Sequence, residues 1–465
     1  MLVCDSARGN KYWSYLANKL FIIFIVFKIY NLSHTKKLYL DNLFLKSALV
    51  KNIFALAVLQ GTNYVLPLVC LPYLVRVLGP DKFGLIAFVQ ACMQFFITLV
   101  DYGFNWSATR KISANRSDSA MLEQITSSVY TVKLLLGVVA GAIIILMGLV
   151  VPGVRGEFWL WGAAFSGVIG SILFPVWFFQ GMEKMNFITH LSIGSRLITT
   201  FAIFSMVKRP TDYALAALLL AVAPAIAGVF AITIIVIKFR VRLKICSTTV
   251  IIDSLKEGFE IFLTTIATSL YTSSNAIIVG VLLNNQAVGY FSGADRIVKA
   301  FVNLLTPVSQ AIYPRIGSLV TESKELAVDF IGKCLFWMSI TSLTLSVLLL
   351  LAAKPLVLFL LGSEYQPAVT LVRCMSALPF FIVISNILGF QTMVNFGLQK
   401  VFMHIILIVG LANLVFMSGL LYLFGITGAA CAILLAEISV AALAWFSLKR
   451  AGISLTSVYL FPKPK

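Results

Sequence analysis

Charged residues are scarce in this sequence, and acidic residues are the scarcer kind. Only 12% of the 465 residues are charged, with 36 Lys and Arg against 18 Asp and Glu, while 60% are hydrophobic. A soluble domain carries about 25% charged residues, and a soluble protein of this composition would expose large apolar patches. The composition therefore excludes an ordinary soluble protein and predicts a membrane protein.

The sequence also lacks the motifs of common enzyme chemistry. It contains no phosphate-binding GxxxxGK[ST] loop, no GxSxG nucleophile elbow and no HExxH helix. Its seven cysteines show no CxxC spacing, which predicts neither a disulfide framework nor a metal site. We therefore expect no enzymatic activity and no cofactor. The energy for any transport must come from an ion gradient or from the substrate itself.

A nucleic acid is not an expected partner, although the net charge is +18. The basic residues are spread over short loops between apolar segments, and no soluble basic domain is present to receive a duplex. A bias of Lys and Arg toward cytoplasmic loops accounts for this distribution. The predicted partner is membrane lipid, which would surround the apolar segments.

Apolar segments of about twenty residues recur along most of the chain, each long enough to cross a hydrocarbon core of about 30 Å. They predict an all-α membrane protein of about twelve transmembrane helices, which we number as spans 1 to 12. The predicted spans are 52–75, 84–105, 127–152, 157–180, 187–207, 213–237, 259–283, 291–317, 331–353, 367–390, 402–424 and 426–448.

The loops divide into two sets with different charge. Those that follow even-numbered spans contain about twice as many Lys and Arg residues as those that follow odd-numbered spans. The positive-inside rule assigns the richer set to the cytoplasm. The tail, 449–465, is then cytoplasmic as well. Residues 1–48 form an N-terminal extension that is either peripheral or the product of an over-extended start, since the apolar run at 20–27 is too short to span.

The two halves of the chain resemble each other. The segment VRVLGPDKFG at 75–84 joins spans 1 and 2, and VGVLLNNQAVG at 279–289 joins spans 7 and 8. FQGMEK at 179–184 and NFGLQK at 395–400 form a second matching pair after spans 4 and 10. This internal repeat predicts two six-helix lobes, 49–245 and 246–448, related by a parallel pseudo-two-fold axis, with a substrate site at their interface.

Polar stripes run along spans 2, 7 and 8. A full-length polar stripe cannot face lipid, because each charge in the membrane costs several kcal/mol. It must face other helices or water, and corresponding stripes in both halves favour a shared central cleft over interhelical hydrogen bonding alone. The stripes consist of Gln90, Gln94, Thr98, Asp101 and Asn105 in span 2, Thr264, Thr268, Tyr271 or Thr272, and Asn275 in span 7, and Ser292, Arg296, Lys299, Asn303 and Gln310 in span 8.

Two cations in span 8 indicate an anionic ligand. Arg296 and Lys299 lie one turn apart and repel each other, an arrangement best satisfied beside an anion. Asp295 could serve as a counter-ion, but it lies about 100° around the helix from Arg296. Asp101 and Glu437 are candidate proton carriers, since burial shifts a carboxyl group toward its neutral form. Isolated buried charges can also be structural, by pairing or snorkelling.

Several segments resemble the Wzx-type O-antigen flippases, the polysaccharide transport branch of the multidrug/oligosaccharidyl-lipid/polysaccharide exporter superfamily. The resemblance covers about 46–448, and residues 1–45 depart from it. The segments are QGTNY at 60–64, PYLVRVLGP at 72–80, DYGFN at 101–105, FPVWFFQG at 174–181 and QAIYPR at 310–315.

The resemblance implies two six-helix lobes in a V, in a bacterial inner membrane. It implies a substrate of undecaprenyl-pyrophosphate carrying one oligosaccharide repeat, moved from the cytoplasmic to the periplasmic leaflet by alternating access. An O-antigen polymerase and a chain-length regulator are the implied candidate partners. Guanidinium groups match phosphate oxygens well, so the expected diphosphate ligands are Arg296, Lys299, Arg196 and Arg76. The expected sugar contacts are Gln94, Asn303, Tyr271 and Trp177.

Two other functions compete with this one. A cation-coupled drug exporter of the same superfamily usually needs a buried acid in span 1, and 52–75 contains neither Asp nor Glu. A cationic stripe would also repel a cationic drug. An O-antigen polymerase needs a large periplasmic loop, and no loop between the predicted spans exceeds about twenty-five residues. The flippase is therefore the favoured prediction.

Overall fold

The computed structural model describes residues 48–453 apart from Ile245, and side chains from residue 66 onward apart from those of Ile245 and Tyr271. The predicted extension 1–48 and most of the tail 449–465 thus lie outside the described residues. The chain divides into two compact units between Ala55 and Leu56. The first unit is described over 48–55, which are helical. Apart from residues 48–55 at the start of the first helix, the features below belong to the second unit.

The described chain contains helices, turns and loops but no strand. The first half contains α1 (Ala48–Asp101), α2 (Phe104–Ala114), α3 (Ser119–Val150), α4 (Pro152–Gly156), α5 (Phe158–Leu173), α6 (Val176–Gly181), α7 (Met185–Met206), α8 (Tyr213–Ala221) and α9 (Ala223–Lys238). The second half contains α10 (Thr248–Leu282), α11 (Asn285–Asn303), α12 (Thr306–Glu322), α13 (Lys324–Leu360), α14 (Ala368–Met375), α15 (Leu378–Ser385), a π-helix (Asn386–Met393), α16 (Gln399–Phe424) and α17 (Ile426–Arg450).

By length and composition, nine of the described helical segments could cross a membrane, or ten if the bent pair Thr248–Leu270 and Thr272–Leu282 forms one span. The all-α membrane prediction is confirmed. The segment Leu66–Ala114 has 49 residues and extends about 73 Å at 1.5 Å per residue. It is therefore long enough for two spans, and it breaks at Gly79, whose φ is 71°. It contains predicted span 2 and the last part of predicted span 1, residues 66–75.

Predicted span 8 is helical but too polar to count among the nine, because α11 carries Asp295, Arg296 and Lys299. Each of the twelve predicted segments is thus mainly helical over its described residues, with short breaks inside several of them, such as 102–103, 174–175 and 304–305. The number of twelve spans and the division into two six-helix lobes stay predictions.

Side-chain caps set where several helices begin. The Asp118 carboxylate accepts the backbone N–H groups of Ala120 and Met121 at the start of α3, both at 3.0 Å. The Asn284 side chain accepts the N–H of Ala287 at 2.8 Å at the start of α11. Such caps satisfy donors that have no partner inside the helix. The Asn284 cap thereby fixes the beginning of the helix that carries Arg296.

The linker between the halves, described at 242–244 and 246, lies against one face of α3. Glu123, Ser127 and Thr131 of α3 are four residues apart and so share a face. They accept the backbone N–H groups of Arg242, Lys244 and Cys246 at 3.3, 3.0 and 3.5 Å, and the Ser127 hydroxyl also donates to the Arg242 carbonyl at 3.3 Å. We call residues 242–246 the linker strap.

The helix after the strap contacts both halves. Near its start, Ser254 of α10 shares a 2.6 Å hydrogen bond with Ser128 of α3. Nearer its end, Asn275 accepts a 2.9 Å hydrogen bond from the Asn413 amide of α16. Helix α10 therefore belongs by sequence to the second half but packs along part of its length on the first.

Candidate functional site

The polar stripes of predicted spans 2, 7 and 8 meet at one cavity of about 240 Å³, which we call the central cavity. Each stripe lies on one helical face because its residues recur every three or four positions. The polar residues lining it are Gln90 and Gln94 of α1, Thr272, Ser273 and Asn275 of α10, and Ser292, Asp295, Arg296 and Lys299 of α11. The structure thus brings helices from both halves of the sequence around one polar space.

Arg296 is held in place by two groups of the first half. Its Nη2 donates to the Gln90 side-chain oxygen at 3.4 Å, and its guanidinium lies over the Phe83 ring at 5.1 Å from the centroid. The cation–π contact orients the planar group without using its N–H donors. Arg296 is half-buried and has no carboxylate within ion-pair distance among the described residues. It therefore offers a fixed positive charge with free donors to the central cavity.

Lys299 has a counter-ion, contrary to the expectation that both cations need an external anion. Its Nζ lies 2.7 Å from the Asp295 Oδ2, with the Lys299 side chain 55% and the Asp295 side chain 23% exposed. Asp295 points away from Arg296 but lies four residues before Lys299. Side chains four residues apart meet on the surface of a helix. The sequence analysis considered Asp295 only as a counter-ion of Arg296, whereas its partner in the structure is Lys299.

Two of the expected sugar contacts are elsewhere. Trp177 is 0% exposed and packs edge-on against Tyr130 and Phe178 within the first half. It does not line the central cavity in this structure, and its role as a sugar contact stays a prediction. Asn303 is half-buried at the end of α11 and does not line the central cavity. The side chain of Tyr271 lies outside the described part of the chain, whereas Gln94 does line the cavity.

Two of the expected diphosphate ligands are also outside the cavity. The Arg76 guanidinium donates to the carbonyl oxygen of Phe359, near the C-terminal end of α13. There it complements the negative end of the helix dipole and joins the two halves. Arg196 is half-buried in α7, and its backbone carbonyl accepts a hydrogen bond from the Thr199 hydroxyl at 3.1 Å. Neither lines the central cavity, so only Arg296 and Lys299 of the four expected cations are brought together.

Asp101 forms a buried ion pair that the sequence did not reveal. The Lys133 Nζ lies 2.7 Å from Asp101 Oδ1 and donates to the Ser171 carbonyl, also at 2.7 Å. The Ser171 hydroxyl donates to the same Asp101 oxygen at 3.3 Å. Side-chain exposure is 2% for Lys133 and 26% for Asp101. Asp101 can act as a proton carrier only by breaking this pair, and that role stays a prediction.

Glu437, the second candidate proton carrier, lies in the second half. It is 9% exposed and accepts a 2.9 Å hydrogen bond from the Ser385 hydroxyl at the end of α15. The π-helix Asn386–Met393 follows directly, and π-helices frequently occur at functional sites. Glu437 does not line the central cavity.

The two repeat turns contact each other through glycines. A Cβ placed on Gly84 would lie 1.8 Å from the Asn285 carbonyl oxygen, and one placed on Gly289 would lie 2.0 Å from the Pro80 carbonyl oxygen. In each turn, a glycine therefore packs directly against the backbone of the other turn. Such a reciprocal contact is expected of segments related by a two-fold axis. We call this pair the glycine contact. It brings the two halves together just after the break of α1 at Gly79 and at the start of α11.

Aromatic packing continues the glycine contact. Phe83, which also stacks under Arg296, packs edge-on against Tyr365 at 6.5 Å between centroids. Burial raises the pKa of Tyr365 above its ordinary value, so the phenol stays neutral. Phe83 thus connects the neutral ring of Tyr365 to the guanidinium of Arg296.

A second cavity, of about 290 Å³, lies between α2, α3 and α10. An ion pair between Lys111 and Glu257 crosses it, and the Ser128–Ser254 hydrogen bond borders it. Because its two charged groups neutralise each other, this cavity offers no free charge to an anion. The central cavity is the better candidate site.

A helical membrane protein with a charged polar cavity between its halves has the architecture of a multi-pass transporter. The chain belongs to the family described as polysaccharide biosynthesis protein, whose model matches residues 49–320. This match confirms the family resemblance carried by the sequence segments.

Two curated relatives are named "Putative O-antigen transporter". The protein of Escherichia coli (strain K12) is 36% identical over 398 residues, 86% of this chain and 96% of the relative. That of Shigella dysenteriae is 31% identical over 404 residues, 83% of this chain and 97% of the relative. Both names describe a transporter rather than an enzyme, in agreement with the prediction of no enzymatic activity.

Solved structures with the same fold are also transport proteins. An inward-facing multidrug resistance MATE family transporter of the MOP superfamily matches with a TM-score of 0.68 at 14% identity, over 89% of this chain and 100% of that chain. The lipid II flippase MurJ, in an inward closed conformation, matches with a TM-score of 0.67 at 16% identity, over 86% of this chain and 87% of that chain. At these identities the likeness shows the fold.

Proposed function

We propose that this protein moves undecaprenyl-pyrophosphate-linked O-antigen repeat units from the cytoplasmic to the periplasmic leaflet of a bacterial inner membrane. The observation that carries the proposal is the fixed guanidinium of Arg296 in the central cavity. The names of the two curated relatives support the same substrate class.

The central cavity suits the polar head of such a lipid. Arg296 offers forked N–H donors that match phosphate oxygens, and Gln90, Gln94 and Ser292 offer neutral groups for sugar hydroxyls. A space of about 240 Å³ is small beside ligand sites of about 300–1,000 Å³. We therefore assign it to the diphosphate and the first sugar, with the polyprenyl tail remaining in lipid.

The direction follows from the predicted orientation. The Lys and Arg bias places the turns that form the glycine contact on the periplasmic side and the C-terminus in the cytoplasm. With the halves joined at the periplasmic end, the head group enters from the cytoplasm. Coupling to an ion gradient, with Asp101 and Glu437 as carriers, is part of the proposal. An O-antigen polymerase and a chain-length regulator are the proposed partners on the product side.

A drug exporter remains the second candidate, because a MATE multidrug transporter shares the fold. The charge of the central cavity argues against it. Among the described residues, the charged ones that line it are Arg296, Lys299 and Asp295, which together give an excess of one positive charge. A cationic drug would be repelled there, whereas a diphosphate would be attracted.

The proposal is tested by replacing Arg296 in cells that depend on this protein for surface O-antigen. Losing charge-assisted hydrogen bonds costs about 1.5–3 kcal/mol each, so Arg296→Ala should reduce surface O-antigen at least about tenfold. Arg296→Lys should retain part of it. Lys299→Gln should cause a smaller loss, because the Arg296 fork remains. Surface glycan is measured by gel electrophoresis of lipopolysaccharide, with membrane protein level measured in parallel.

The matched control is Arg116→Ala, which removes an arginine paired with Glu183 at 2.8 Å outside the cavity. This variant should retain O-antigen. Wild-type amounts of O-antigen with Arg296→Ala at normal membrane level would remove Arg296 from the mechanism.

A further inference from the structure

The central cavity contains a carboxylate, which is an unexpected group in a site for an anion. Asp295 lines the same space as Arg296 and Lys299, and its Oδ2 lies 2.7 Å from the Lys299 ammonium. An approaching diphosphate would be repelled by Asp295 and attracted by Lys299. The arrangement therefore requires an explanation beyond simple anion binding.

The two cations differ in how firmly they are held. Arg296 is half-buried and contacts Gln90 and Phe83 from the facing half. The Lys299 side chain is 55% exposed, and its ammonium forms an ion pair with Asp295 of the same helix. A lysine has a flexible four-carbon stem, so its ammonium can leave Asp295 without disturbing the helix. Arg296 is thus the fixed cation of the site and Lys299 the movable one.

We infer that Asp295 is a displaceable counter-ion. It pairs with Lys299 in the empty protein and is replaced in that pair by the diphosphate of the substrate. This inference rests on the proposed function, because it assigns the same cavity to a lipid-linked diphosphate. In the empty protein the pair keeps the cavity at one excess positive charge. In the loaded protein Lys299 turns from Asp295 to the phosphate oxygens and adds a second cation to the one supplied by Arg296.

The counter-ion has two consequences for transport. It lowers the affinity for the anion, because the substrate must compete with a carboxylate that is already present. It also reduces the cost of closing the empty cavity off from water during alternating access, because an uncompensated charge in a low-dielectric interior is expensive. Asp295 therefore limits binding strength and favours return of the empty transporter.

The test measures the binding of farnesyl pyrophosphate to the purified full-length protein in detergent by isothermal titration calorimetry. Removing one unit charge from a partly buried site should tighten binding of Asp295→Asn about tenfold. Its affinity should also fall more steeply with salt than that of the wild type, since the cavity then has two excess positive charges. In reconstituted vesicles the same variant should show a lower KM and a lower kcat.

The matched control is Asp329→Asn. Asp329 pairs with Lys333 at 2.6 Å, also four residues apart, on α13 outside the central cavity. Its replacement should leave binding of farnesyl pyrophosphate unchanged. Equal tightening in both variants would overturn the inference, because the effect would then not depend on the cavity.

Other outcomes separate this inference from the proposed function. Wild-type binding that is lost with Arg296→Ala but unchanged or weakened with Asp295→Asn overturns the counter-ion role and leaves the diphosphate site standing. Absence of wild-type binding that depends on Arg296 overturns both. If Asp295→Asn does not accumulate, Lys299→Gln decides instead. It leaves Asp295 without its lysine beside Arg296 and should weaken binding, though less than Arg296→Ala does, and unchanged binding overturns the inference.

Discussion

The ammonium of Lys133 is nearly inaccessible, and Asp101 is the carboxylate that compensates it. Breaking a buried ion pair by removing one partner leaves an uncompensated charge in the interior, which costs about 3–5 kcal/mol. The 26% exposure of the Asp101 side chain allows some relief by solvent. The pair joins α1 to α3, and its hydrogen bonds to Ser171 extend to α5.

This geometry gives a prediction at the residue scale. Asp101→Asn alone should lower the thermal unfolding temperature in detergent, because Lys133 remains charged and buried. Adding Lys133→Met should recover much of the loss, since neither charge is then present. If Asp101 is purely structural, the double variant should also recover export. Recovered stability without recovered response to a pH gradient in vesicles would instead support Asp101 as a proton carrier.

At the scale of the element, helix α1 ends at a backbone break inside predicted span 2. Tyr102 and Gly103 both have positive φ, 43° and 78°, and α2 begins at Phe104. The Tyr102 ring stacks on Phe262 of α10 at 4.6 Å between centroids, and a Cβ on Gly258 would lie 2.9 Å from the Tyr102 ring. The break is therefore fitted closely against α10.

Gly103→Ala tests that fit. The added Cβ would lie 2.5 Å from the Ile261 Cγ2, and a left-handed backbone costs a non-glycine residue about 1–2 kcal/mol. We expect a lower unfolding temperature and less protein in the membrane. Gly153→Ala is the matched control, because no atom lies within 4 Å of its added Cβ. Equal behaviour of the two variants would contradict a tight contact between the break and α10.

The sequence predicted elements better than their contacts. Helical periodicity correctly placed Gln90, Gln94 and Arg296 on cavity-facing sides, because the face of a residue depends only on local geometry. It could not foresee that Asp101 meets Lys133, since that pairing depends on how α1 packs on α3. It also treated 84–105 as one continuous helix, because Asp-Tyr-Gly inside an apolar run does not by itself reveal two left-handed residues.

At the scale of the whole molecule, the glycine contact joins the two halves by backbone alone. Any Cβ at Gly84 or Gly289 would overlap a carbonyl oxygen of the other half. A larger residue at either position should therefore hold the halves apart at this end. The sequence signal was present in the matching repeat turns, although it did not show that the turns touch.

The prediction is that Gly289→Leu opens the central cavity to the periplasmic side. In a chain whose native cysteines are replaced, a cysteine introduced at Gln94 should react faster with an impermeant thiol reagent added outside. Gly419→Leu is the control, because open space surrounds its Cβ. Unchanged labelling of Gly289→Leu at normal membrane level would mean that this contact does not close the cavity.

The linker strap has a consequence for how this chain tolerates change over evolution. Its hydrogen bonds to α3 use the backbone of Arg242, Lys244 and Cys246 rather than their side chains. Substitution of these residues should therefore be accepted widely. Deletion of a single residue should not, because it would take the N–H groups of residues 242, 244 and 246 out of register with Glu123, Ser127 and Thr131. We therefore expect related proteins to vary in the residue types of this segment but to keep its length.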